Sequence, residues 1–233
     1  MTPEAADATA TGTVTDTGTA TGTVLLAGIF SGDLEEAWQE IQPDTARRLL
    51  IAAVEAFAAR GFHATTTRDI ARGAGMSPAG VYVHYRSKEE LLHQITLIGH
   101  RHTLRLVREV SASVSGPTRQ LHAVIRDLTT WHARHHTTTR VIEYELHSLS
   151  PEHHTAILAL RREIDGLVRQ ILEDGVGQGV FEVPDVPTTT LALLSLSVDV
   201  ARWYHTPARH SEERLGQLYA DLALRMVGSE PLP

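Results

Sequence analysis

The chain has 233 residues, 42% of them apolar, which is enough to bury the core of one large domain or two small ones. It contains no cysteine, which excludes a disulfide framework and a thiolate metal site, and it has no run of about 18 apolar residues, so no membrane span is expected. The net charge of −7 argues against a uniformly basic nucleic-acid binder, yet Glu4, Asp7, Asp16, Asp33, Glu35, Glu36 and Glu40 supply all of it, leaving the rest neutral.

Residues 1–43 hold no Lys or Arg, and their first thirty are rich in Thr, Gly and Ala, with TATGTV at Thr9–Val14 and again at Thr19–Val24. Such a segment buries too little to offset its chain entropy and reads as a disordered extension. Val24–Phe30 is apolar but short and lacks a basic flank, which argues against a signal peptide. DLEEAWQEIQ after Ser31 reads as a short helix ended by Pro43.

From Thr45 onward the pattern is helical. Leu49, Leu50, Ala53, Val54, Phe57 and Ala58 recur at spacings of three and four, and Gly61 stops the run. Thr67 is expected to cap a second helix with Asp69 in its first turn, and Gly75 suits the positive φ of a tight turn. Ser77 caps a third helix with Pro78 at its first position, and Ser87 with Glu90 starts a fourth that reaches about Ser115. Further helices are predicted at 117–136, 138–148, 151–176, 187–205 and 211–227. With no strand pattern anywhere, the fold class is all-α.

The second and third helices, joined by a Gly-containing turn, make a helix-turn-helix pattern whose second helix enters the major groove of double-stranded DNA. Ile70, Ala71, Ala74 and Val81 form its packed side, leaving Ser77, Pro78, Ala79, Gly80, Tyr82 and His84 outward, with Lys88 just beyond. Small residues let the backbone sit deep in a groove, while hydroxyls and an ammonium suit phosphates. Within 44–93 seven basic residues face five acidic ones, so the electrostatic footprint is local.

TTTRDIARGAGMSPAGVYVHYRSKEELL, with the RRLLIAAVEAFAARGFHATT lead-in, resembles the DNA-binding head of the TetR/AcrR family of bacterial one-component regulators. The resemblance implies a three-helix, homeodomain-like head. It also implies phosphate contacts from Thr67, Tyr82, His84 and Lys88, with Arg68 in the same DNA-facing set, and base-edge contacts from Pro78–Val83. Tyr85 stands where the family usually has Phe, keeping the ring and adding a hydroxyl. The family further implies a helical body that dimerises and binds an inducer, dividing the chain into an extension (1–43), a DNA-binding domain (44–93) and an effector and dimerisation domain (94–233).

The last two predicted helices carry apolar stripes that include Leu191, Leu194, Leu215, Leu218 and Leu222, which a two-fold four-helix bundle of a homodimer would bury. The stretch ELHSLSPEHH through VARWY is similar to the effector domains of TetR relatives that sense acyl-CoA thioesters. That likeness implies Arg161, Arg162 and Arg202 as phosphate partners and Tyr144 and Trp203 as pocket walls. A drug effector stays open, and so does a metal one: His132 and His136 are spaced to share a helix face, with Glu143 or Glu145 completing a site. No nucleophile motif or HExxH stands in the chain, so no enzyme activity and no cofactor are expected. A DNA-associated scaffold and an all-helical enzyme are the rival classes. A repressor of this kind works in the cytoplasm, at the nucleoid.

Overall fold

Helical periodicity is realised throughout the computed structural model, which describes Trp38 and residues 41–205, 208–230 and 232. The readings for residues 1–30 and for most of the acidic helix before Pro43 lie outside the described residues. Trp38 is helical and buried against the first core cluster. Nine α-helices and no strands occur among the described residues.

The head comprises α1 (Asp44–Ala64), α2 (Thr67–Gly73) and α3 (Pro78–His84), followed by α4 (Lys88–Ser113). Leu49, Leu50, Ala53, Val54 and Phe57 form the buried stripe of α1, against which Ile70, Ala71 and Val81 pack. At Gly61 the backbone turns to φ 76°, so the last residues of α1 are a kinked extension of the predicted helix. Gly75 holds φ 66° in the turn between α2 and α3, as that turn requires. The N-cap of α2 is Thr66, one residue earlier than expected. Its Oγ1 accepts from Asp69 N at 3.2 Å while Asp69 Oδ2 accepts from Thr66 N at 3.0 Å, a reciprocal pair that Thr67, already helical, stands one position too late to make. Ser77 Oγ caps α3 by accepting from Gly80 N at 3.2 Å, and Pro78 occupies the first helical position. Tyr85 is buried, its phenol donating to Ala46 O at 3.3 Å, and burial raises its pKa to about 12.

The body comprises α4, α5 (Pro117–Arg134), α6 (His136–Tyr144), α7 (Pro151–Gly177), α8 (Val186–Trp203) and α9 (Glu212–Met226). A 3₁₀ turn, Leu146–Ser148, links α6 to α7 where a longer helix was expected. Leu121, Val124, Ile125 and Leu128 of α5 meet Val168, Ile171 and Leu172 of α7 and Leu224 of α9 in one apolar cluster. Contact between α5 and α9 is close, because a Cβ on Gly216 would stand 2.5 Å from the Arg126 carbonyl oxygen. The head's own cluster continues into the body through Trp131, Ile142 and Ile157.

Candidate DNA-binding surface and effector cavity

Among the DNA-facing candidates, Arg68, Ser77, Pro78, Ala79 and Tyr82 are exposed and Thr67, Gly80, His84 and Lys88 half-buried. Tyr82 is 56% exposed, and its hydroxyl lies 3.3 Å from Thr67 Oγ1, so α2 orients the ring that α3 presents. Val83, at 78%, is the most exposed large apolar side chain of the described residues and shares the free end of α3. It lies within the base-reading span drawn from the sequence, where methyl groups suit a thymine methyl. His84 Nε2 meets Thr45 Oγ1 at 2.9 Å, tying the end of α3 to the start of α1.

Lys88 has a structural task that the sequence did not suggest. Its ammonium donates to the carbonyl oxygens of Phe62, His63 and Thr65 at 2.7, 3.2 and 2.9 Å and stands 4.4 Å from the Phe62 ring centroid. All three N–H donors therefore close the carbonyl end of α1, leaving none for a phosphate in this conformation. Asp69 accepts from Thr66 through both the amide and the hydroxyl, and these bonds, with Arg60 nearby, hold its carboxyl far below the usual range.

A cavity of about 500 Å³ opens between α4, α5, α6, α7 and α8. Its polar wall is a connected set: Arg161 donates through Nε to His100 Nε2 at 3.0 Å and through Nη2 to Glu143 Oε1 at 2.5 Å. His100 in turn donates through Nδ1 to Thr96 O at 2.8 Å, which makes it the neutral tautomer, and burial lowers its pKa. His132 donates through Nδ1 to Ser197 O at 3.1 Å, and burial takes it down to about 4. Trp131, Thr139, Ile142, Leu158, Leu191 and Leu194 supply much of the remaining wall. A Cβ on Gly99 would fall 2.5 Å from Ile142 Cδ1, so α4 and α6 touch directly at this wall.

Of the five effector candidates, the structure brings Arg161 and Arg162 to the cavity and leaves Tyr144, Arg202 and Trp203 out of it. Tyr144 and Trp203 are exposed, and Arg202 is taken up by Asp199 at 2.7 and 2.9 Å. The expected sequence neighbourhood is present, but these three side chains leave their helices on other faces. Three of the five interface candidates are also drawn elsewhere, Leu191 among them, since it lines the cavity together with Leu194. Leu215 is buried with Ala133, Val200 and Tyr204 inside its own subunit, and Leu194 turns to the cavity and second cluster. Leu191 and Leu222 remain exposed and Leu218 half-exposed.

His132 and His136 do not share a helix, because the chain breaks at His135, where φ is −104° and ψ 31°. Their Nδ1 atoms serve Ser197 O and Ala133 O, and no group of three metal-ligand side chains occurs among the described residues. His100, Thr103, Trp131, Thr139 and Asp165 line the cavity without having been singled out in the sequence. The available signal was a polar residue at a position where the helical stripe asks for an apolar one, as with His100 and Thr139. No helix of the described residues is long and apolar enough to cross a membrane.

Two bridges join this cavity region to the head. Glu145, one residue past α6, accepts from Phe62 N at 2.9 Å. Glu89 near the start of α4 accepts from Ser150 N, at the cap of α7, at 2.8 Å and from His153 Nδ1 at 2.8 Å.

Comparison with known proteins matches residues 49–95 to "Bacterial regulatory proteins, tetR family" and 114–227 to "Tetracyclin repressor-like, C-terminal domain". The repressor KstR2 of Rhodococcus jostii is 29% identical over 78% of this chain and 90% of its own length. A tetR-family regulatory protein from Rhodococcus RHA1 superposes with a TM-score of 0.77 at 39% identity, covering 81% of this chain and 99% of that one. AibR, solved with isovaleryl coenzyme A and operator DNA, shares the fold with a TM-score of 0.71 at 20% identity, over 80% of this chain and 100% of its own.

Proposed function

This chain belongs to the TetR family of bacterial regulatory proteins, and from that premise we propose a homodimeric, cytoplasmic repressor that an acyl-CoA thioester releases from its operator. Residues 44–93 grip DNA through α3, and residues 94–233 hold the effector and the partner subunit. The observation that carries the reading is the cavity of about 500 Å³ with Arg161 in its wall and exposed Arg162 at its edge. That volume lies within the range of small-molecule sites, roughly 300–1,000 Å³. It suits an acyl group and part of its pantetheine arm, with an anionic nucleotide outside beside Arg162. AibR was solved with such a thioester, and KstR2 of Mycobacterium tuberculosis is described as a ketosteroid regulator, which supports a lipid-derived acyl group.

Leu196, Leu222 and Met226 expose apolar area on α8 and α9, and a second copy placed over these helices completes a four-helix bundle. Two heads then reach half-sites about one DNA turn apart. An effector that separates Arg161 from Glu143 perturbs the end of α6, and Glu145, two residues on, holds Phe62 N beside the α2 cap. Release is thus a difference in effector affinity between two arrangements of the heads, carried by α4 and by this short link.

The test is fluorescence anisotropy of an operator selected from random duplexes, titrated with and without a series of acyl-CoAs that includes octanoyl-CoA. We expect at least one thioester to weaken operator binding by about tenfold or more, a coupling of roughly 1.4 kcal/mol. Operator affinity untouched by every thioester in the series refutes the effector assignment.

A further inference from the structure

Two residues that line the cavity, Trp131 and Thr139, each bury a polar atom that has no hydrogen-bond partner, Trp131 Nε1 and Thr139 Oγ1. Their residues are only 5% and 3% exposed, so bulk water does not serve them. Their polar neighbours are occupied. His100 uses both ring nitrogens, Arg161 bonds to His100 and Glu143, and Thr103 donates to Gly99 O at 3.0 Å. The Trp131 ring is itself fixed, with His102 stacked at 5.0 Å and His132 and His135 against it at 5.0 and 5.2 Å.

The unmet demand is for an acceptor, since an indole N–H can only donate. Charge decides which kind. The Arg161 guanidinium is already matched by Glu143, and Asp165, the other carboxylate of the wall, is matched by Arg169 at 3.0 Å. An anionic group brought to buried Trp131 would meet matched ion pairs and buried neutral imidazoles, while the one unmatched cation of the lining, Arg162, is exposed to solvent. A plain hydrocarbon would leave the N–H buried and unpaired.

We propose that this wall receives an uncharged carbonyl oxygen of the effector, held by the Trp131 indole N–H with the Thr139 hydroxyl as a second donor. The inference rests on the cavity being the effector site, and it holds whether or not that effector is a CoA ester. Two sources share the chemistry: the thioester carbonyl itself, or a ketone carried on the acyl group.

The test uses the full-length protein and two isosteres, cyclohexanone and methylenecyclohexane, titrated while the Trp131 indole N–H is followed by 15N-edited NMR. We expect the ketone to move that resonance downfield and to bind about tenfold tighter than the alkene. Trp131→Phe, which keeps a ring, should erase the preference, and Thr139→Val should reduce it. Equal binding of the two probes, an unmoved resonance, or a preference that survives Trp131→Phe overturns the proposal. Octanoyl-CoA and its thioether analogue S-octyl-CoA then assign the source. A thioester advantage that Trp131→Phe removes places the thioester carbonyl at this wall, and equal binding of the two places a ketone there. If neither CoA compound binds while the ketone preference stands, the acyl-CoA reading falls and this one is upheld.

Discussion

Replacing Lys88 with methionine distinguishes a phosphate anchor from a helix clamp. The substitution keeps most of the aliphatic stem and removes the ammonium, which donates to Phe62 O, His63 O and Thr65 O at 2.7, 3.2 and 2.9 Å and stands 4.4 Å from the Phe62 ring centroid. A hydrogen bond from a charged donor contributes about 1.5–3 kcal/mol, but three from one ammonium do not add, and one of these is solvent-exposed. A net loss of about 2–3 kcal/mol follows, equal to a drop of roughly 4–12 °C in Tm for a chain of this size. Thermal unfolding reads that loss. Operator titration across a salt series reads the alternative, since a lost phosphate contact lowers the slope of log K against log salt by about one. The clamp predicts a lower Tm with an unchanged slope, measured where the variant is fully folded. A Tm within a degree of the parent together with a slope reduced by about one refutes it.

Tyr82→Ala is expected to weaken operator binding by roughly 1–3 kcal/mol without lowering Tm, because the ring is exposed and its hydroxyl meets only Thr67; unchanged affinity removes Tyr82 from the DNA contacts. Acid should destabilise the body through His132, whose folded-state pKa of about 4 lies below its unfolded value of 6.5. The unfolded chain binds the proton first, so this stability is complete above about pH 6.5 and is lost as the pH falls towards 4, by about 3 kcal/mol. His93, His100 and His136 are lowered in the same direction. Urea unfolding between pH 7.5 and 4.5 should show the slope, and His132→Gln should flatten it; an equal slope in the variant assigns the effect elsewhere. Leu222→Glu, at a site 48% exposed on α9, should shift sedimentation from dimer to monomer and cut operator affinity by tenfold or more, whereas a variant that stays dimeric moves the interface off this face.

Local chemistry was enough to read the head from its sequence. Ser77 before Pro78, Gly75 in the turn and the three-and-four spacing of Leu49, Leu50, Ala53, Val54 and Phe57 each act within a few residues, and the structure keeps all of them. One slip there, Thr67 for Thr66 as cap, is a choice between adjacent threonines that only the reach of Asp69 decides. The all-α class, the order of the helices and their ends to within a few residues were legible for the same reason.

Tertiary packing decided what long side chains on those helices meet. Lys88 reads as a surface cation until α4 sets it under the carbonyl end of α1, 23 to 26 residues back in the chain. Leu215 and Leu222 share one apolar stripe in sequence, yet neighbouring helices cover the first and leave the second exposed. The cavity was the least legible feature, because its wall draws Gly99, Trp131, Thr139, Glu143 and Arg161 from four helices. A helical repeat records which face of one helix is apolar, but where five such faces fail to meet depends on how the helices cross.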